Sequence, residues 1–274
     1  MVWRRISESR REFIAELAED VWKSHSSDGR LQLPAVAESI DVEITYDDFG
    51  EDFDGVLEHR AGEFHVFVNT RRNPRTSARA RFTLAHEYGH YFIDEHRNAL
   101  AAGRPPYTSF TDQPAKNPVE LEANIFASHL LMPSRQFNAA LAKSPQSVAG
   151  ICKLATDFHV SVQSAALRYV AGSDKPCAVI MFRNGSNPWW EVSPQMEAMR
   201  LTFMKPLNIG SLKNCASAAA HKDSFDRQSV HHEAEAFAGS WFKGIGNRWQ
   251  KSAILKETAI RLGEWGVLTL LVAT

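Results

Sequence analysis

Apolar residues recur at the period of an α-helix in the first part of the chain. Residues 4–23 carry one apolar side, which predicts an amphipathic helix; it consists of Phe13, Ile14, Leu17, Ala18, Val21 and Trp22. A second, shorter helix should begin at Leu33-Pro34. A third helix is expected within the stretch of residues 79–96, capped by Thr76 or Ser77. Four of its residues repeat near the helical period and share a face: Phe82, His86, His90 and Ile93.

The next predicted helix is marked at both ends. Asn117 is a good N-cap, Pro118 suits the first helical position, and Pro133 stops the helix. Its apolar stripe consists of Val119, Ala123, Phe126, Ala127 and Leu130. Between His96 and Pro118 four prolines occur in a stretch without a helical or strand period. We expect a long loop there, which could overhang a cleft as a lid or have no role.

Alternating apolar residues predict two groups of strands. The first group precedes the histidine-bearing helix and turns near Ala61-Gly62. Its strands are expected at residues 42–46, 56–57 and 64–68. The second group is expected at residues 178–182, 189–192, 234–242, 256–261 and 267–272, with a last turn at 263–266. Helices and strands in this order predict an α+β fold.

The third predicted helix contains His86-Glu87-Tyr88-Gly89-His90, an H-E-x-x-H motif. Two histidines four residues apart lie on one helical face, so both imidazoles can reach one ion. Zinc accepts such nitrogen ligands. Glu87 follows the first histidine directly, so its carboxylate can act as general base on a water without binding the ion. The alternative is a buried helix whose histidines only form hydrogen bonds, and the complete motif argues against it.

Three residues compete to be the third metal ligand. His96 has the spacing of the metzincin motif, but that motif needs a glycine at the position of Ile93. Glu120 and Glu122 flank the apolar stripe of the following helix from opposite sides, and periodicity does not choose between them. Glu120 could instead close a capping box with Asn117.

Two blocks of the sequence, RFTLAHEYGHY and ELEANIFASHLLMP, resemble those of the ImmA/IrrE family of intracellular metallopeptidases. In that family two histidines and a glutamate of the following helix bind zinc, and an Asn or Asp stands four residues after the glutamate. The resemblance therefore implies a zincin-like domain with His86, His90 and Glu120 as ligands, because Asn124 has the required spacing. Asn124 could hold a ligand histidine by its free ring N–H. Glu122 and His96 are the reserve ligands, and manganese or another divalent ion could replace zinc.

A helix-turn-helix pattern follows the second block. The sequence KLATDFHVSVQSAALRYV resembles such a motif, with its turn at residues 159–161. The second helix offers Gln163, Ser164 and Arg168 to a DNA groove, but few lysines for phosphates. We therefore expect packing, or contact with a protein substrate, rather than direct DNA binding.

These patterns divide the chain into three predicted parts. Residues 1–133 form the metallopeptidase domain, residues 134–172 a helical, helix-turn-helix-like segment, and residues 173–274 a C-terminal α+β module. A polar break containing a proline marks the last boundary. IrrE-type relatives carry a GAF-like sensor after the peptidase part, so the resemblance implies a sensor for the third part.

Charge and composition exclude several classes of protein. The 31 Lys and Arg residues balance 32 Asp and Glu residues, so no overall field favours nucleic acid or an anionic membrane. The cysteines, Cys152, Cys177 and Cys215, are too scattered for a disulfide framework or a Cys-x-x-Cys metal site. Residues 1–13 lack the apolar core of a signal peptide, and no apolar run reaches the roughly 18 residues of a membrane span. We expect a cytoplasmic protein.

The predicted function is a zinc-dependent endopeptidase in which Glu87 carries a proton from the attacking water to the leaving amine. The developing oxyanion needs a donor, for which the candidates are Tyr88, Tyr91, Tyr107 and His129. The resemblance implies that the substrate is a helix-turn-helix transcriptional repressor, whose cleavage would switch on stress-response or mobile-element genes. The alternative is a non-catalytic regulator that acts through its helix-turn-helix or C-terminal module. Its zinc would be structural, with four protein ligands instead of three.

Overall fold

The computed structural model describes most of the chain and has a mixed α and β architecture. The described residues are 6–27, 29–105, 108–109, 117–184, 187–204, 207–223, 230–243 and 253–273. By compactness the chain divides into two units. Unit 1 comprises residues 1–137 and 158–161, and unit 2 comprises residues 138–157 and 162–274. The three parts at 1–133, 134–172 and 173–274 stay predictions.

Unit 1 combines helices with a small sheet. Its helices are α1 (Glu8–His25), α2 (Leu33–Ser39), α3 (Ala78–Phe92), α4 (Asp94–Ala101), α5 (Pro118–Leu131) and the beginning of α6 (Ser134–Leu141). Its strands are β1 (Ser26–Ser27), β2 (Arg30–Leu31), β3 (Glu43–Asp47), β4 (Gly55–Arg60), β5 (Glu63–Asn69) and β6 (Thr108–Ser109). The larger sheet has the order β3-β5-β4-β6, and β1 pairs only with β2.

The first helix is shorter than the apolar pattern predicted. It begins at Glu8 because the Ser7 hydroxyl accepts a hydrogen bond from the Arg10 N–H (3.3 Å) and caps the helix. Ile14, Ala18 and Val21 are buried. Phe13, which we placed on the apolar side, is 51% exposed. The buried stripe is therefore narrower than the sequence indicated.

The strands before the zinc-motif helix lie where the alternation predicted them. β4 and β5 form an antiparallel hairpin, and β3 joins β5 in parallel with Glu43 opposite His65. The turn residues Ala61 and Gly62 both have positive φ, at 55° and 90°. This left-handed pair matches the right-handed twist of the flanking strands.

The expected loop after His96 is partly wrong. α4 continues to Ala101, because Ile93 ends α3 and Asp94 and Glu95 then provide an acidic first turn for a new helix. Buried Leu100 anchors that helix. The lid hypothesis now concerns only residues 102–117. Within this stretch, residues 106–107 and 110–116 lie outside the described residues.

Unit 2 contains a five-stranded antiparallel sheet with the order β10-β12-β13-β7-β8. Its helices are α7 (Val148–Asp157), α8 (Val162–Gly172), α9 (Pro194–Ala198), α10 (Ala216–Lys222) and α11 (Ala238–Trp241). Its strands are β7 (Cys177–Phe182), β8 (Trp189–Val192), β9 (Thr202–Phe203), β10 (His231–Phe237), β11 (Phe242–Lys243), β12 (Ile254–Arg261) and β13 (Val267–Ala273). The strand predicted at 234–242 is wrong in its second half, because α11 turns Ala238 and Trp241 together into the core.

Both faces of this sheet are covered. The Val148 N–H of α7 donates to the Thr258 hydroxyl, and the Ser217 N–H of α10 donates to Glu257. Neighbouring residues of a strand point to opposite faces, so α7 and α10 lie on opposite sides of β12. All six residues of β7 are buried for the same reason. Among the described residues, no helix is long and apolar enough to span a membrane.

Candidate metal centre

Helix α3 carries the zinc motif into the interior of unit 1. The Ser77 hydroxyl accepts a hydrogen bond from the Ala80 N–H (3.1 Å) and starts the helix. Every residue from Thr83 to His90 is buried. His86 and His90 are 2% and 0% exposed. Since eight consecutive residues cover every side of a helix, this part of α3 is enclosed all round and the helical period does not single out one inward face. Phe82, on the predicted inward face, is only half-buried.

Helix α5 approaches α3 closely at one glycine. A Cβ atom added at Gly89 would lie 3.0 Å from the Ala123 Cα and 3.2 Å from the Phe126 Cβ, which is closer than ordinary packing. At the beginning of α5 the Asn117 side chain accepts the Glu120 N–H (2.9 Å). The absence of a side chain at Gly89 thus lets the first turns of α5 reach the two histidines.

Three polar side chains converge between these helices. The Glu120 Oε2 lies 3.1 Å from the His86 Nε2, and its Oε1 lies 3.4 Å from the His90 Nε2. The two Nε2 atoms are 3.1 Å apart. One ligand atom from each residue falls within 4.8 Å of the others, so the group could hold a metal ion. Two imidazoles and one carboxylate are the donor set that zinc takes in catalytic sites.

Asn124 contacts the first histidine from behind. Its Oδ1 lies 3.0 Å from the His86 Nδ1. A proton on Nδ1 would be donated to this oxygen and would leave the Nε2 lone pair free on the side of Glu120. The Glu120 backbone N–H serves the helix cap while its carboxylate meets the histidines. The Glu120 carboxylate therefore contacts the histidines and does not serve the alternative role in a capping box with Asn117.

The electrostatics of Glu120 and His90 favour metal-binding protonation states, whereas those of His86 favour its protonated form. Burial acts to raise the pKa of Glu120, but hydrogen bonds with His86 and His90 outweigh it and hold that pKa well below its usual range. Burial lowers the pKa of His90 to about 4. Burial opposes protonation of His86 as well, but the hydrogen bond with Glu120 and the charge of Glu87 raise its pKa overall. Near neutral pH, His90 is therefore neutral beside an ionised carboxylate.

Comparison with known proteins places this centre in a family. A family model described as the IrrE N-terminal-like domain matches residues 37–169, which include α3, α5 and the whole group. The match confirms the resemblance to the ImmA/IrrE family over these residues. No curated protein sequence matches the chain at a significant level.

A solved structure resembles this chain beyond the matched domain. It is described as a Mycobacterium tuberculosis transcriptional regulator, and the likeness covers 98% of this chain and 78% of that chain. The TM-score is 0.59 and the sequence identity is 14%. At that identity the likeness concerns the fold alone.

The two reserve ligands lie outside the group. The His96 Nδ1 is 3.2 Å from the His90 Nδ1, on the ring edge that faces away from Glu120. The His96 Nε2 is 3.2 Å from the Glu122 Oε2. Arg10 of α1 contacts that same carboxylate oxygen at 2.7 Å. Sequence reasoning missed Arg10, because no local pattern connects it with a residue 112 positions away.

The structure describes the surroundings of three of the four candidate oxyanion donors. The Tyr88 hydroxyl is buried and donates to the Leu33 carbonyl (2.7 Å). His129 lies beside Glu19 and nine residues after Glu120, which is about 13 Å further along α5. Tyr91 reaches the Ile40 carbonyl at 3.4 Å. The remaining candidate, Tyr107, lies outside the described residues.

Proposed function

We propose that this protein is a zinc-dependent peptidase whose metal is bound by His86, His90 and Glu120. The convergence of these three ligand groups beside the buried Glu87 is the observation that carries the proposal. Three protein ligands leave one coordination position open, as catalytic zinc sites require. Manganese or another divalent ion could bind to the same donors, and manganese would bind more weakly than zinc.

Each residue has a distinct task in this reaction. A bound divalent ion would polarise a peptide carbonyl and lower the pKa of water. Glu87 accepts the proton of the attacking water and delivers it to the leaving amine nitrogen as the C–N bond breaks. Asn124 holds His86 by its Nδ1–H. Because burial keeps His90 neutral, its Nε2 is available as a ligand near neutral pH.

The substrate that we propose is a helix-turn-helix transcriptional repressor, cut at a specific site to switch on stress-response or mobile-element genes. The resemblance to the ImmA/IrrE family supports this choice. The wider proposal includes a cytoplasmic location, a zincin-like peptidase domain and a GAF-like sensor in the C-terminal module. We expect no direct DNA contact from α7 and α8, since the charge pattern there is weak for phosphate binding.

The decisive experiment compares the purified protein with its Glu87→Gln variant in the presence of zinc and candidate repressors. Glu87→Gln should retain stoichiometric zinc and lose cleavage by at least about 100-fold, because it removes the general base and no ligand. Glu16→Gln on the exposed side of α1 serves as the matched control and should cleave like the parent.

Two outcomes would reject the peptidase function. Cleavage by Glu87→Gln at the parental rate would exclude Glu87 as the base. Zinc held by four protein ligands, together with intact repressor under all metal conditions, would favour the non-catalytic regulator.

A further inference from the structure

The most unusual feature around the metal centre is a chain of four side chains behind His90. From His90 it runs through His96 to Glu122 and then to Arg10, with contacts of 3.2, 3.2 and 2.7 Å. The four residues come from α3, α4, α5 and α1. We propose that His96 and Glu122 are positioning residues that fix the tautomer and orientation of His90 for metal binding. This inference rests on the proposed metal site.

The protonation pattern along the chain follows from the contacts. If the His90 Nε2 is to offer a lone pair to a metal, its proton must be on Nδ1. The His90 Nδ1–H then donates a hydrogen bond to the His96 Nδ1, which must be unprotonated to accept it. His96 therefore carries its own proton on Nε2. The Glu122 carboxylate accepts that proton and also accepts from Arg10. Every donor then faces an acceptor.

Glu122 is well suited to the end of this chain. Its side chain is 13% exposed and lies between His96 and a guanidinium that is 25% exposed. Both terminal nitrogens of the Arg10 guanidinium, Nη1 and Nη2, also donate to the Glu95 carboxylate, at 3.0 and 3.1 Å. Such two-point contacts fix a guanidinium in place. The carboxylate is therefore held in position for His96 without becoming a metal ligand.

The two ligand histidines are thus supported differently. His86 meets the neutral amide of Asn124, whereas His90 meets an imidazole that is itself backed by a carboxylate. Arg10 lies outside residues 37–169, to which the family model matches. The support of His90 consequently depends on the N-terminal helix as well as on the matched domain.

A set of variants at position 96 tests the proposal without relying on activity. His96→Gln keeps both roles, since a glutamine amide can accept from His90 and donate to Glu122. His96→Phe keeps a ring of similar size but neither role. We expect His96→Phe to weaken zinc binding about 10- to 100-fold in chelator competition. His96→Gln should stay within a few-fold of the parent, and the visible spectrum of the cobalt-substituted protein should change only in His96→Phe.

Position 122 provides the matched pair. Glu122→Gln should weaken zinc binding several-fold. Glu16→Gln, an equal loss of one carboxylate on the exposed side of α1, should leave zinc binding unchanged. Urea unfolding of the metal-free proteins separates lost affinity from lost stability. If His96→Phe fails to fold, the comparison of Glu122→Gln with Glu16→Gln still decides the question.

Equal zinc affinity and an unchanged cobalt spectrum in His96→Phe would overturn the positioning role. A parent protein that binds no zinc, or one in which His86→Ala does not affect zinc binding, would instead reject the proposed metal site itself.

Discussion

Glu120 in unit 1 and Glu257 in unit 2 each meet several polar partners, and the two carboxylates are used differently. In unit 1 the Glu120 side chain meets two imidazole nitrogens that face a common centre. In unit 2 the Glu257 side chain, which is fully buried, accepts hydrogen bonds from the N–H and the hydroxyl of Ser217, at 2.7 and 2.6 Å. The Ser217 hydroxyl also lies 2.8 Å from the Thr269 hydroxyl.

The partners of each carboxylate explain the contrast. Glu257 stands at the beginning of α10, whose N-cap residue Cys215 makes no side-chain cap. A carboxylate from β12 thus replaces the missing cap and meets the positive end of the helix. Its partners are fixed backbone and hydroxyl donors, which support the fold. The partners of Glu120 are two imidazole nitrogens whose lone pairs can point at a common centre, an arrangement suited to a cation.

The strongest test of this contrast is removal of the first carboxylate. Glu120→Gln should weaken zinc binding by at least about 100-fold, because a neutral amide is a poor zinc ligand. In the parent, zinc at 100 times its Kd should add about 2.7 kcal/mol to the free energy of unfolding. Calorimetry with and without zinc should show that gain in the parent and not in the variant. An undiminished gain in Glu120→Gln would place the metal elsewhere.

The second carboxylate should give the opposite result. Glu257→Gln retains an acceptor for Ser217 but loses the charge beside the helix end, so we expect a loss of about 1–2 kcal/mol in the free energy of unfolding. Zinc affinity should equal that of the parent. Urea unfolding and chelator competition measure the two quantities, and a change in zinc affinity would contradict the separate roles of the two carboxylates.

The smallest expected effect concerns the contact between α3 and α5, the two helices that carry the proposed metal ligands. Gly89→Ala favours the helical backbone by up to about 1 kcal/mol, but its Cβ would press on Ala123. We expect α5 to shift by a few tenths of an ångström, with a several-fold loss of zinc affinity and little net change in stability. Gly172→Ala is a milder control, since its new Cβ would meet only side-chain atoms. Equal zinc affinity in Gly89→Ala and the parent would show that the close approach does not set the geometry.

Sequence reasoning found the first carboxylate and missed the role of the second. The H-E-x-x-H spacing, the Asn117-Pro118 helix start and the family resemblance led to Glu120. For Glu257 it predicted a strand, but it predicted no helix between residues 192 and 234, so α10 and its cap were not foreseen. Ser217 and Glu257 are 40 residues apart, and no local period connects them.

Local sequence patterns were enough to predict the helix that carries the two histidines and the turn of the first hairpin. Those features depend on the 3.6-residue period of a helix and on the backbone freedom of Ala61-Gly62, both of which are local. The positions of Glu122 and His96 behind His90, with Arg10 beside them, follow instead from how the helices pack. Glu120 and Glu122 are two residues apart and point to different sides of α5, so the packing of three helices determines which carboxylate faces the histidines.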